Sequence, residues 1–246
     1  MTDQMIHKGP EQHSIESVEC IILAGGLGTR LRSEVPDLPK CMAPVSGKPF
    51  LEYLINYLLQ QGVVHFIFSL GYMHESIEEF LNQAYPTLSY KIVIEQEPLG
   101  TGGAIALACK NATSENVIIM NGDTMFKVNI SELLNYHINN NAECTLSLKP
   151  MNDFERYGVV KINKDGSIQS FNEKKYYQSG LINGGVYALN RISFLSVDFP
   201  EKFSFEKDYL EKYFSSNKMT GLIQDEYFID IGIPEDFKRA GIELTL

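Results

Sequence analysis

Apolar and polar positions follow two different rhythms along this chain. Val18 to Leu23 is a short continuous apolar run, the pattern of a strand buried on both faces. Phe50 to Gln61 carries apolar residues at 51, 54, 55, 58 and 59 and meets Gly62, which predicts a helix with a glycine stop. Val63–Leu70 then reads as a strand, His74–Ala84 as a helix, Tyr90–Ile94 as a strand, Gly102–Lys110 as a helix and Val117–Met120 as a buried strand. This alternation implies right-handed βαβ units and a mostly parallel sheet. The rhythm changes after Asn129–Asn140. Glu143–Lys149, Gly158–Ile162 and Ser167–Phe171 predict strands, with Asn163-Lys164-Asp165-Gly166 as a hairpin turn. Asn183–Leu189 and Tyr227–Asp230 add two more, and Pro234 opens a final helix. The expectation is an α/β chain: a polar extension over 1–17, then one domain over 18–246 with halves at about 18–128 and 129–246.

Composition narrows the class. With 246 residues, 44% hydrophobic and 21% charged, the chain suits one sizeable globular domain. A net charge of −10 argues against a nucleic-acid or anionic-membrane surface, so an anionic substrate must be met by locally placed cations. Cys20, Cys41, Cys109 and Cys144 are scattered without a C-x-x-C pair, which suggests neither zinc nor a disulfide framework. No apolar run approaches the roughly 20 residues of a membrane span. The first seventeen residues lack the apolar core of a signal peptide, so the cytoplasm is the expected location.

Those local cations stand in one stretch. Leu23 to Lys40 reads LAGGLGTRLRSEVPDLPK. Gly25, Gly26 and Gly28 allow a sharp turn and close backbone approach to a ligand, and Thr29, Arg30, Arg32 and Lys40 supply donors just beyond it. A strand feeding such a loop is suited to phosphates. A P-loop is absent, because the only Gly-Lys, Gly47-Lys48, is followed by Pro49. A dinucleotide fingerprint fails at Leu31, where it needs glycine, and the acidic Glu52 falls inside a helical stretch. An NAD-dependent oxidoreductase is disfavoured on that ground.

Two carboxylates stand at strand ends. Asp123 follows Val117–Met120 through Asn121-Gly122, and Asp230 closes Tyr227-Phe228-Ile229 before Gly232 and Pro234. Either alone is ordinarily a cap or turn residue. Together at the carboxyl edge of a sheet they suit Mg²⁺, which takes one or two carboxylates plus substrate phosphates. His65, His74 and His137 have no such context and receive no role.

The loop resembles the signature of sugar-1-phosphate nucleotidyltransferases, L-A-G-G-x-G-T-R-L followed by P-K, matched by Leu23 through Leu31 and Pro39-Lys40. The resemblance implies a Rossmann-like α/β architecture, its mostly parallel central sheet flanked by helices, with a mixed-sheet sugar-binding lobe. It puts the nucleotide on the first half of the domain and the sugar on the second. It assigns Leu23, Ala24, Gly25, Gly26, Gly28 and Thr29 to the nucleotide, and Arg30 and Lys40 to its triphosphate. Glu95 to Ala104 is similar to the family's E-P-L-G-T-G-G segment, which brings Gln96, Pro98, Gly100, Thr101 and Gly102 to the base and ribose. Arg156-Tyr157-Gly158 matches R-Y-G, Glu173-Lys174 an E-K pair, and Asn183-Gly184-Gly185-Val186-Tyr187 the sugar-contacting N-G-G/A-x-Y stretch. These imply Tyr157, Gly158, Glu173, Asn183 and Gly184 on the sugar and Lys174 on its phosphate, with Mg²⁺ held by Asp123 and Asp230. Cys41 stands where many relatives have proline.

Within the family, the chain looks most like bacterial D-glycero-α-D-manno-heptose 1-phosphate guanylyltransferases, through M-N-D-F-E-R-Y-G, K-F-S-F-E and Y-F-I-D-I-G-I-P-E-D-F among other segments. That likeness favours GTP and a heptose 1-phosphate as substrates, for surface glycan synthesis. The alternatives are a uridylyl- or guanylyltransferase for another sugar 1-phosphate, such as mannose or N-acetylmuramate, and more remotely a non-catalytic nucleotide-sugar binding module. Neither nucleic acid nor membrane is expected as a partner, and a homo-oligomer is left open.

Overall fold

The computed structural model describes residues 15–26, 31, 34–216 and 218–244. Of the expected polar extension, residues 1–14 lie outside the described residues, and Ile15–Ser17 form one tight helical turn. Five strands come first: β1 (Glu19–Leu23), β2 (Pro44–Val45), β3 (Lys48–Pro49), β4 (His65–Leu70) and β5 (Ser89–Ile94). Next are β6 (Asn116–Asn121), β7 (Thr124–Phe126), β8 (Cys144–Phe154) and β9 (Val159–Ile162). The last are β10 (Ile168–Asn172), β11 (Tyr177–Asn190), β12 (Met219–Ile223) and β13 (Phe228–Asp230). The helices are α1 (Phe50–Gln60), α2 (His74–Ala84), α3 (Gly100–Asn111), α4 (Ile130–Asn139), α5 (Arg191–Leu195), α6 (Glu211–Tyr213) and α7 (Pro234–Glu243), with a wide helical turn, Phe205–Leu210, leading into α6.

Nine strands make one sheet in the order β10-β9-β11-β6-β1-β4-β5, with β8 paired to β11 and β12 to β8. Its centre, β6-β1-β4-β5, is parallel. Strand β11 runs antiparallel to β6 and carries the sheet into its mixed part. The fold is α/β, with helices on both faces. Side chains of β1 alternate between them: Cys20 and Ile22 join Phe66, Phe68 and Leu54 on one face, while Ile21 joins Ile67, Ile105 and Phe205 on the other. Burial on both sides explains the continuous apolar run, since each such side chain contributes roughly 1.5–3 kcal/mol when removed from water.

Several elements differ from expectation. Residues 129–140, to which no element was assigned, contain α4, started by Asn129, whose side chain accepts the Glu132 N–H at 2.9 Å. Strand β12 was not foreseen, and β8 and β11 run well beyond the expected spans. Pro150 and Asn152 are poor strand formers, yet pairing to Leu181 and Ser179 of β11 holds them, with the Phe154 and Tyr177 rings stacked at 5.7 Å. Helix α3 opens at Gly100 rather than Gly102, and a neighbouring segment packs directly on its glycines. A Cβ on Gly103 would stand 2.5 Å from the Glu201 carbonyl oxygen.

Candidate active site

Strands β1, β4 and β6 end at one level, for Leu23 is in register with both Ser69 and Asn121. The chain turns at Gly25, Gly71 and Gly122, and these turns touch backbone to backbone. A Cβ on Gly122 would lie 2.6 Å from the Leu23 oxygen, and one on Gly71 2.9 Å from the Gly25 oxygen. Beyond them opens a cavity of about 390 Å³ at the carboxyl edge of the sheet. Leu23, Ala24, Gly25 and Gly26 line it, together with Pro98, Gly100 and Thr101. Lys40 and Asp123 line it as well. Gly28, Thr29 and Arg30 lie outside the described residues.

A second cavity, of about 680 Å³, adjoins the first through Asn121, which lines both. Tyr157, Gly158, Glu173, Lys174, Asn183 and Gly184 all face it, as does Asp230. Asn183 is turned there by an irregularity in β11: its register on β8 shifts between Asn183 and Tyr187, across Gly184-Gly185. Gly185 has φ +74°, and a Cβ on Gly184 would meet the Phe126 ring at 2.3 Å. The Asn183 amide donates to the Tyr187 hydroxyl at 2.8 Å, which fixes its orientation. Arg156 bonds the Tyr157 hydroxyl at 2.8 Å and the α7 residue Asp236 at 2.6 Å, tying the R-Y-G turn to the last helix. Burial and the nearby Asp230 carboxylate push the Tyr157 phenol up to about 12, so it stays a neutral hydrogen-bonding group.

The two aspartates meet because β13 pairs with β7, placing Asp230 opposite Thr124. Between them lies the Lys40 ammonium, bonded to Asp123 Oδ2 and 3.4 Å from Asp230 Oδ1. Asp123 Oδ1 accepts from the Thr124 hydroxyl at 3.1 Å, and Asp230 Oδ1 from the Gly232 N–H at 2.7 Å. Carboxylate oxygens aimed at one cationic centre fit a divalent ion, a hard cation that prefers oxygen. Among the described residues no group of three or more His, Cys, Asp or Glu side chains could hold a metal, so these two aspartates would need oxygens from substrate and water to complete a shell.

Two expected residues are not in the first cavity's lining, and a third, Thr101, lines it with its hydroxyl already engaged. Gln96 lines a smaller neighbouring hollow with Gly71 and His74 rather than the first cavity. Gly102 turns its open side to Phe203: a Cβ there would meet the ring at 2.2 Å, and its N–H is taken by the Phe203 carbonyl at 3.0 Å. Thr101 lines the cavity, but its hydroxyl donates to Glu206 at 2.7 Å and accepts the Phe205 N–H. Conversely, Glu206 and Lys207 line the second cavity without having been singled out. The available signal was the K-F-S-F-E segment, which ends at Glu206 and whose Ser204 hydroxyl caps this helical turn by accepting the Lys207 N–H. Glu95, which opens the E-P-L-G-T-G-G-like segment, was given no role of its own. It lines the first cavity, accepts the Leu99 N–H at 2.9 Å, and is raised above the usual carboxylate range by burial. His137 is buried between Thr145 and Asn116, which accords with its having no role at the site. All four cysteines are free and buried, and no helix among the described residues is long and apolar enough to cross a membrane.

Known proteins share this arrangement of chain. The family model described as nucleotidyl transferase matches residues 19–245. A D-glycero-alpha-D-manno-heptose 1-phosphate guanylyltransferase of Aneurinibacillus thermoaerophilus is 52% identical over 92% of this chain and 98% of its own length. The protein of the same name from Campylobacter jejuni is 44% identical over 89% of this chain and 97% of its own. The crystal structure of HddC from Yersinia pseudotuberculosis complexed with GMP-PN matches with a TM-score of 0.83 at 39% identity, covering 93% of this chain and all of that one. With a family match over nearly its whole length and these relatives, the chain belongs to the nucleotidyl transferase family.

Proposed function

We propose that this protein transfers a guanylyl group from GTP to D-glycero-α-D-manno-heptose 1-phosphate, releasing pyrophosphate and forming a nucleotide-activated heptose for surface glycan synthesis. One observation carries the reaction class: two cavities share Asn121 and are flanked by Lys40, Asp123 and Asp230 at the carboxyl edge of the sheet. The heptose and guanine assignment is supported by the names of the relatives at 52% and 44% identity, and by the GMP-PN complex of HddC. In this reading the first cavity, built chiefly from residues 18–128, takes the nucleotide, and the second takes the sugar phosphate.

The sugar phosphate needs no dedicated base, since a phosphate monoester has a second pKa of about 6 and is largely dianionic near neutrality. Its oxygen attacks the nucleotide α-phosphorus in line. A new oxygen–phosphorus bond forms, the bond to the β-phosphate oxygen breaks, and the electron pair leaves with pyrophosphate. The obstacle is repulsion between two anions. Lys174 holds the sugar phosphate and Lys40 and Arg30 the triphosphate, so that cations meet the developing charge. Mg²⁺ on Asp123 and Asp230 would supply further neutralisation of the reacting phosphates. Tyr157, Asn183 and Glu173 orient the sugar through its hydroxyls. Pyrophosphate release across a panel of nucleoside triphosphates and sugar 1-phosphates tests the assignment. GTP with the heptose phosphate should react fastest; turnover with UTP and mannose 1-phosphate instead would overturn it.

A further inference from the structure

We infer that Lys40 is the resident cation of the Asp123–Asp230 pair, and that it holds these carboxylates together while opposing the binding of free metal ion. The inference rests on the metal role proposed above. The β7–β13 pairing forces the two aspartates side by side, and without a cation between them their charges repel. Lys40 answers this from a fixed base. Its backbone sits in a single helical turn, where the Met42 N–H donates to Pro39 and the Ala43 N–H to Lys40. Its side chain is only 10% exposed, against 36% and 22% for Asp123 and Asp230, so the ammonium lies deeper than the groups it neutralises. The fold leaves room for it: a Cβ on Gly232 would come within 2.8 Å of both the ammonium and Asp230 Oδ1. A lysine serving only the substrate would leave two partly buried carboxylates uncompensated, whereas this one touches both.

Lys40 and a divalent cation therefore compete for the same oxygens. Lys40 withdraws readily only when another anion receives it, and the first cavity, which it also lines, is where the triphosphate would stand. Metal and nucleotide consequently bind with positive coupling, and metal alone binds weakly. Mn²⁺ binding measured by electron paramagnetic resonance, without nucleotide, tests this in wild type, Lys40→Met, Lys40→Gln and Lys40→Met/Asp123→Asn. The glutamine variant keeps a donor to one carboxylate and serves if the methionine variant does not fold. Removing the ammonium should tighten Mn²⁺ binding by about tenfold or more, and Asp123→Asn should abolish that gain. Equal Mn²⁺ affinity in wild type and the Lys40 variants, lost with Asp123→Asn, overturns the resident role and leaves the metal role standing. If no variant binds Mn²⁺ without nucleotide, the resident role falls, and the metal role falls with it only if Mn²⁺ also fails to bind wild type in the presence of GTP.

Discussion

Lys40 Nζ and Asp230 Oδ1, 190 positions apart in the chain, lie 3.4 Å from each other. Neither is placed by its own neighbours alone. Lys40 is presented by a turn after Pro39, and Asp230 by a three-residue strand whose partner, β7, follows directly on Asp123. The charged centre therefore depends on a small, local strand pairing next to the main sheet.

Asp123→Asn should abolish turnover while the protein stays folded. Loss of one anionic oxygen removes several kcal/mol of the charge stabilisation a bound cation supplies, so kcat/KM should fall by roughly 100-fold or more. Steady-state pyrophosphate release together with a thermal melt checks this. Near-normal turnover would remove Asp123 from the metal role.

Lys174 is exposed and makes no ion pair among the described residues, so Lys174→Ala should shift the melting temperature by no more than about 2 °C. A lost charge-assisted hydrogen bond is worth roughly 1.5–3 kcal/mol, which predicts a rise of about 10- to 100-fold in KM for the sugar phosphate. Unchanged kinetics would return Lys174 to the solvated surface.

Gly102→Ala should destabilise by about 1–3 kcal/mol, because the new methyl group runs into the Phe203 ring. Shortening that ring in Gly102→Ala/Phe203→Leu should recover part of the loss without changing KM for GTP. A KM defect that persists in the double variant would mean that Gly102 does meet the nucleotide.

Glu19 predicts how stability responds to acid. Although burial alone would raise it, the Thr113 and Ser114 N–H groups and Lys91 hold its carboxyl down at about 2, against 4.5 in an unstructured chain. A depressed carboxyl stabilises the fold above its unfolded value, and this contribution disappears as pH falls from 4.5 toward 2. It amounts to about 3 kcal/mol at most. Chemical unfolding of wild type and Glu19→Gln should differ clearly at pH 7 and converge near pH 2; a gap that is constant with pH would rule out the ionised clamp.

His137 works in the same direction for a different reason. Burial pulls it down to about 4 from 6.5, so the folded protein keeps a neutral ring while the unfolded chain takes up a proton. Stability should therefore decline as pH drops from 6.5 to 4, and His137→Gln should flatten that part of the profile. An unchanged slope in the variant would show that the ring is protonated in the fold.

The central strands were legible because they are buried on both faces, so Val18–Leu23 and Val117–Met120 need no partner to be recognised as apolar runs. The glycine-rich stretch after β1 and the E-P-L-G-T-G-G, R-Y-G and N-G-G segments stood out in the sequence because their glycines and charges are dense and ordered. Helix α4 was hidden by its asparagines, one of which is its cap. The far ends of β8 and β11 were hidden because residues such as Pro150 and Asn152 take strand conformation here only through their pairing with Leu181 and Ser179.

What the sequence determined by itself was composition, local periodicity and the kinds of chemical group available: a strand, a turn without side chains, cations, and two carboxylates at strand ends. What only the tertiary structure decided was which groups face which. It gave the open side of Gly102 to Phe203, set Thr101 on Glu206, and brought Lys40 between Asp123 and Asp230. Those choices follow from strand register and from contacts between distant segments. Propensity acts over a few residues, whereas burial and charge pairing act across the whole fold.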